Sequence, residues 1–191
     1  WAEGLDVPVL GELGREVEYL FWVGCAGATD PRARRTTQAL VRVLKAAHVD
    51  FAVLGPEEKC TGDPARRMGN EYLFQEMAKA NIATLDEAKV RKVVASCPHC
   101  FNTIKNEYKD FGGSYEVFHH SQFIASLIKD GKLKFLVQIG IVPAKDLPGV
   151  PMITEFAKTD EQRAILNLFA STVSIGRSAT LSASASVPSP F

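Results

Sequence analysis

The sequence lacks a charge of one sign: Lys and Arg number 22, Asp and Glu 22, and the formal net charge is zero. Proteins that grip nucleic acid carry a basic excess for the phosphates, so no nucleic-acid partner is expected. No apolar run approaches the ~18 residues of a membrane span, so no transmembrane segment is expected. The start, Trp1-Ala2-Glu3, lacks the basic and apolar regions of a signal peptide. Absence of an initial Met fits a segment of a longer protein. Cysteine is scarce as well. Four among 191 residues are too few for a disulfide-dense secreted scaffold. What remains is a globular balance, 46% hydrophobic, which supplies a core and excludes a wholly disordered chain. The length suggests one domain, or one and a fraction.

The scarce residues are segregated. Cys25, Cys60, Cys97 and Cys100, with His48, His99, His119 and His120, all fall between residues 25 and 120, and neither type occurs later. The apolar run from Tyr19 to Gly24 predicts a buried strand, and Asp30-Pro31 supplies an N-cap and a first-turn proline for a helix with Leu40, Val41 and Leu44 inward. Residues 1–18 give little signal. Phe51 to Leu54 predicts a second strand, Pro64 to Asn81 a helix, and Thr84 to Ala88 one further turn. Lys92 to Ala95 is a third strand, Pro98 to Tyr108 a helix, Tyr115 to Phe118 a fourth strand and Ser121 to Lys129 a fourth main helix. Strands alternating with helices give an α/β fold with a parallel-type sheet. Ligands of such sheets gather beyond the carboxyl ends of the strands. The cysteines follow three of those strand ends, so four thiols converge on one sheet edge.

The spacing, C-x34-C-x36-CPHC, leaves four chemistries open. A [4Fe–4S] cluster takes four thiolates, the number supplied. A structural zinc site takes four as well, although zinc ribbons draw them from two CxxC knuckles. Cys97 at a helix start also suits a redox CxxC, and four buried thiols suit plain packing. Cys97-Pro98 opens a helix whose unpaired N–H groups face an anionic ligand set. Arg66 and Arg67 read as compensating cluster charge, as a grip on an acidic partner, or as a solvated helix face. The histidines read as hydrogen-bonded rather than ligating, and His48 as a cation at a helix C-terminus.

Residues 1 to about 134 resemble the cysteine-rich CCG-type domain of heterodisulfide reductase subunits and related iron–sulfur oxidoreductases. The resemblance rests on Phe21 to Gly27, Phe51 to Gly55, Lys59-Cys60-Thr61-Gly62-Asp63-Pro64-Ala65-Arg66-Arg67, Gly69 to Glu71, Cys97-Pro98-His99-Cys100-Phe101-Asn102-Thr103, Asn106 to Tyr108 and His119 to Gln122. It implies a cytoplasmic electron-transfer module, peripheral at the inner membrane face through a partner. The cofactor implied is an iron–sulfur cluster on Cys25, Cys60, Cys97 and Cys100, with zinc as the alternative. Electron-donor and electron-acceptor proteins, among them a flavoprotein or a membrane-bound partner, are implied as well. Relatives carry two such domains, and this one resembles the first. One departure is plain: Lys59 and Thr61 flank Cys60, where the family motif has adjacent cysteines that build five-ligand clusters. A single four-thiolate cubane is therefore expected, without disulfide-cleaving chemistry.

From about 136 to 177 the sequence resembles a fragment of tripartite tricarboxylate transporter substrate-binding proteins. The carrying stretches are Val137 to Gly140, Asp146 to Pro151, Asp160 to Leu166 and Ile175 to Arg177. A cytoplasmic redox domain joined to a piece of an exported binder reads as a chimera with its junction near Lys132–Leu136. An irregular C-terminal extension is the alternative. Residues 135–177 are expected as a β-loop-α fragment, with Phe135 to Gly140 a strand and Thr159 to Ala170 a helix. The Ser- and Ala-rich residues 178–191 read as a disordered tail.

Overall fold

The computed structural model describes residues 1–171. The chain divides into two compact units, Trp1–Leu133 and the residues from Lys134 onward. In the first, the strands β1 (Tyr19–Trp22), β2 (Phe51–Ala52), β3 (Lys92–Ala95) and β4 (Glu116–His119) form one sheet in the order β2-β1-β3-β4, parallel throughout. The helices are α1 (Leu10–Leu13), α2 (Gly24–Thr29), α3 (Pro31–Ala46), α4 (Asp63–Arg67), α5 (Glu71–Glu87), α6 (Pro98–Asn102) and α7 (His120–Lys129). The expected α/β class and parallel sheet are what the chain forms.

Alternation along the strands sorts the core into two layers, because successive side chains leave opposite faces of a pleated sheet. Leu20 and Trp22 of β1, with Val93 and Ala95 of β3, pack into one cluster with Phe74, Ala78 and Leu85 of α5 and with Cys100, Ile104 and Tyr108. Phe21, Val23 and Val94 enter the other, against Leu40, Val41 and Leu44 of α3 and Phe123 and Leu127 of α7. Both faces are covered, as a parallel sheet requires. Helix α3 starts where the sequence signals: the Asp30 carboxylate accepts from the N–H groups of Arg32 and Ala33 at 2.9 and 2.8 Å, with Pro31 in the first turn.

Several elements differ from expectation. The helix expected over 64–81 is two helices, since Gly69 turns the chain at φ +83° and Asn70 caps α5 by accepting from Leu73 N–H at 3.1 Å. The turn expected at 84–88 is the end of α5. Helix α6 stops at Asn102, and the chain continues as a π turn (Thr103–Glu107) and a 3₁₀ turn (Tyr108–Phe111). Helix α2 and the parallel bridge Val9–Val53 had no sequence signal. His48 follows the end of α3 at φ +52°, with its N–H donating to Lys45 C=O.

In the second unit, the strand expected over 135–140 is reduced to one isolated bridge, Gln138–Met152. The buried Gln138 side chain organises a loop instead: Nε2 donates to Leu147 and Val150 carbonyls at 3.0 and 2.6 Å, and Oε1 accepts from Ala144 N–H at 2.8 Å. Helix α8 spans 160–171, with Thr159 Oγ1 accepting from Gln162 N–H at 3.2 Å. Residues 175–177 and the tail expected over 178–191 lie outside the described residues.

Candidate metal centre

Strands β1 and β3 are neighbours, and the connections that follow them run to opposite sides of the sheet. The crevice at such a reversal of strand order is where α/β sheets bind ligands. Cys25 lies in α2, three residues beyond the end of β1, and Cys97 lies two residues beyond the end of β3 and caps α6, which carries Cys100. Cys60 sits in the loop between a 3₁₀ turn (Gly55–Glu57) and α4. The expected convergence on one sheet edge is therefore present at the level of the backbone.

The thiols stand as two pairs. Cys25 and Cys60 interact through their side chains and both line a cavity of about 150 Å³ with Val23, Gly24, Gly55 and Glu58. Burial pushes the Cys60 thiol up, opposed by the Gly62 N–H that donates to its sulfur and reinforced by Cys25. Cys97 and Cys100 form the second pair. The hydrogen bond from Cys100 draws the Cys97 thiol down to about 5, aided by the N–H groups of Cys100 and His99 at the start of α6 and opposed by desolvation. The Cys97 anion and burial push the Cys100 thiol up. Gly24 joins the pairs: at φ +75° it brings the start of α2 so close that a Cβ there would lie 3.3 Å from Cys100 Sγ. Among the described residues, no three side chains of His, Cys, Asp or Glu are already gathered around one point that could take a metal ion.

The oxygen ligands nearby are otherwise engaged. Glu58 accepts from Val23 and Gly24 N–H at 3.0 and 2.6 Å, and burial raises its carboxyl to about 7 against those two bonds. Asp63, buried, takes Arg67 Nε at 3.0 Å, His99 Nδ1 at 3.1 Å and Thr103 Oγ1 at 3.4 Å. Glu107 binds Arg66 Nη1 at 3.0 Å, Arg67 Nη2 at 2.7 Å and Asn102 Nδ2 at 2.9 Å. Both arginines thus pair with internal carboxylates, Arg66 partly buried and Arg67 with its side chain still largely in solvent. His119 Nδ1 meets Ser121 Oγ at 2.8 Å. The groups left for a metal are four thiols, a soft donor set that fits an iron–sulfur cluster or zinc.

Sequence reasoning missed the polar frame behind Cys60. Asn81 Nδ2 donates to Cys60 C=O at 2.9 Å and to Tyr108 Oη at 3.0 Å, and Tyr108 Oη donates to Thr61 C=O at 3.1 Å. The Thr61 hydroxyl lies 4.0 Å from Cys100 Sγ. One signal for this frame was available. Asn81 interrupts the apolar stripe of Phe74, Ala78, Ile82 and Leu85 on α5, and a polar side chain on a buried stripe needs partners. Glu58 had no comparable signal.

A parallel α/β unit with cysteines after three strands at its topological switch point is a cysteine-rich α/β domain. Residues 19–105 match the family described as a cysteine-rich domain, CCG. The chain is 45% identical over 135 residues to an EtfAB:quinone oxidoreductase of Syntrophomonas wolfei, covering 71% of this chain and 19% of that protein. It is 45% identical over 136 residues to a probable iron-sulfur-binding oxidoreductase, FadF, of Bacillus subtilis, covering 70% and 19%. A polypeptide of the dihydromethanophenazine:CoB–CoM heterodisulfide reductase of Methanosarcina barkeri is 30% identical over 135 residues, covering 68% and 32%. The chain thus spans about a fifth of the length of the first two relatives. No solved structure matches. Among the described residues, no helix is long and apolar enough to cross a membrane.

Proposed function

We propose that the chain is an iron–sulfur electron-transfer domain of a heterodisulfide reductase-like oxidoreductase. Cys25, Cys60, Cys97 and Cys100 hold one [4Fe–4S] cluster in this reading. The observation that carries it is the donor set: four thiols from three strand ends at the switch point, with the neighbouring carboxylates already bonded to N–H groups, arginines and His99. A relative named as iron-sulfur-binding supports the cofactor class. A cluster so held supplies one-electron transfer at a potential set by burial and by hydrogen bonds to its sulfurs. The chain's own part is to fix the thiolates: Gly62 N–H and the α6 N-terminus donate to sulfur, and Asn81 and Tyr108 pin the Cys60–Thr61 backbone.

The partners are electron-donor and electron-acceptor proteins. Relatives named for EtfAB and quinone, and as a probable membrane-anchored ferredoxin, favour a flavoprotein or membrane-bound partner and a peripheral place at the inner membrane face. Lys59 and Thr61 beside Cys60 leave no adjacent ligand for a disulfide-cleaving cluster.

A four-thiolate zinc site with a scaffold role is the competing reading, because the same closed ligand set suits zinc. Metal analysis after anaerobic reconstitution separates them. The expected result is about four irons per chain with broad visible absorption. A colourless protein with about one zinc overturns the cluster reading. Cys60→Ser is expected to lose most of the iron, and a variant that keeps the full signal removes Cys60 from the ligand set.

We also infer that residues from about 136 onward are a fragment joined to this domain. Leu136, Ile141, Val142 and Phe156 stand exposed, as apolar side chains do when the core they served is incomplete. Sequencing genomic DNA across the codons for residues 130–140 tests this, and an unbroken natural reading frame overturns it.

A further inference from the structure

The indole nitrogen of Trp22 is the anomaly of the core. Trp22 is 1% exposed, and its Nε1 has no hydrogen-bond partner among the described residues. Buried N–H groups are nearly always paired, and an orphan signals a partner that the protein chain does not supply. The indole belongs to the sheet face that holds Cys100, with Cys97 packed against the same cluster. Its cross-strand neighbour is Ala95, two residues before Cys97. Two residues after Trp22 comes Gly24, the residue against Cys100 Sγ. The other unpaired buried side-chain atom among the described residues, His120 Nδ1, directly follows β4 at the same edge of the sheet.

We propose that Trp22 Nε1–H is a hydrogen-bond donor to the sulfurs of the bound cluster and raises its reduction potential, an inference that rests on the cluster reading above. An N–H directed at a sulfur stabilises the more negative, reduced state more than the oxidised one, which moves the potential upward. The cluster keeps its four thiolates, so the indole acts as a tuning donor rather than a ligand.

The test uses the full chain, reconstituted anaerobically with iron and sulfide and titrated with dithionite in the presence of redox mediators. Trp22→Phe removes the N–H. A second variant places 3-benzothienylalanine at position 22, which keeps the bicyclic shape and replaces N–H by sulfur. Both are expected to bind as much iron as the wild type. Poised at the wild-type midpoint, each is expected to show about a tenfold lower ratio of reduced to oxidised cluster, equivalent to about 59 mV for one electron. A benzothienyl variant with full iron and the wild-type potential overturns the proposal, whatever Trp22→Phe does to folding. A purely packing role predicts that outcome: loss of stability in Trp22→Phe, with no shift in the isostere. Failure of the wild type to take up iron overturns the cluster reading itself, and this inference with it.

Discussion

Replacement of Gly62 by alanine is expected to lower the unfolding free energy of the metal-free chain by about 2–4 kcal/mol and the melting temperature by about 10 °C. Two costs combine. Gly62 holds φ +88°, where an L-residue loses about 1–2 kcal/mol. An added Cβ would also lie 2.9 Å from the Phe74 ring and 3.4 Å from the Phe74 carbonyl, and overpacking of this kind costs about 1–3 kcal/mol. The ring cannot yield easily because Phe74 is fully buried under Arg66 and edge-on to Phe111. Gly69 is the internal control. It has φ +83° but no atom within 4 Å of its would-be Cβ, so Gly69→Ala is expected to lose only the backbone share. Urea denaturation of both variants decides the matter, and equal losses would remove the packing argument. The same substitution reaches the metal centre. Gly62 N–H faces the Cys60 thiol, and the backbone shift that alanine forces at φ +88° moves that donor, so Gly62→Ala is also expected to reduce iron uptake on reconstitution, whereas Gly69→Ala is not.

The contrast between these two glycines shows what was legible in the sequence. Local signals worked where one residue type dictates one local geometry. Asp30-Pro31 started α3, Thr159 bonded the first turn of α8, and apolar runs marked four strands whose alternation sorted two core layers. The class of fold and the convergence of cysteines on one edge followed from that order of elements. Registers and interruptions were not local. Gly69 fell inside the helix expected over 64–81, yet its positive φ and the cap at Asn70 split the segment in two. Helix α6 gave way to a π turn so that Tyr108 reaches Asn81, a demand made by residues 27 positions away. The carboxylate that Arg66 and Arg67 share was not legible, because Glu107 lies some forty residues along the chain. Glu58 was invisible for the same reason: its role is to accept two N–H groups from the start of α2, an element with no signal of its own.

Asn81→Leu carries the other large effect, because one amide serves both the core and the Cys60 loop. Leucine keeps the branched outline and suits the apolar stripe, but its methyl groups are bulkier than the amide, so lost hydrogen bonds combine with some overpacking at this buried site. It leaves the Cys60 carbonyl and the Tyr108 hydroxyl without the Nδ2 donor. A buried polar group left unpaired costs about 1–3 kcal/mol, and the expected loss of stability is about 2–3 kcal/mol by the same measure. Tyr108→Phe removes the next link, the bond to Thr61 C=O at 3.1 Å, and is expected to cost less, because the ring still fills its place in the core. The two side chains share a bond, so the double variant should lose about 1 kcal/mol less than the sum of the single losses, within the range for coupled neighbours. Strict additivity in urea denaturation of the metal-free chain would mean that the two residues act separately. The frame has a consequence for cluster assembly too. Asn81 fixes the backbone of Cys60, Tyr108 fixes that of Thr61, and the Thr61 hydroxyl stands beside Cys100. Asn81→Leu is therefore expected to lower iron incorporation with all four cysteines intact. A variant that is destabilised yet takes up iron as fast and as fully as the wild type would confine Asn81 to the core.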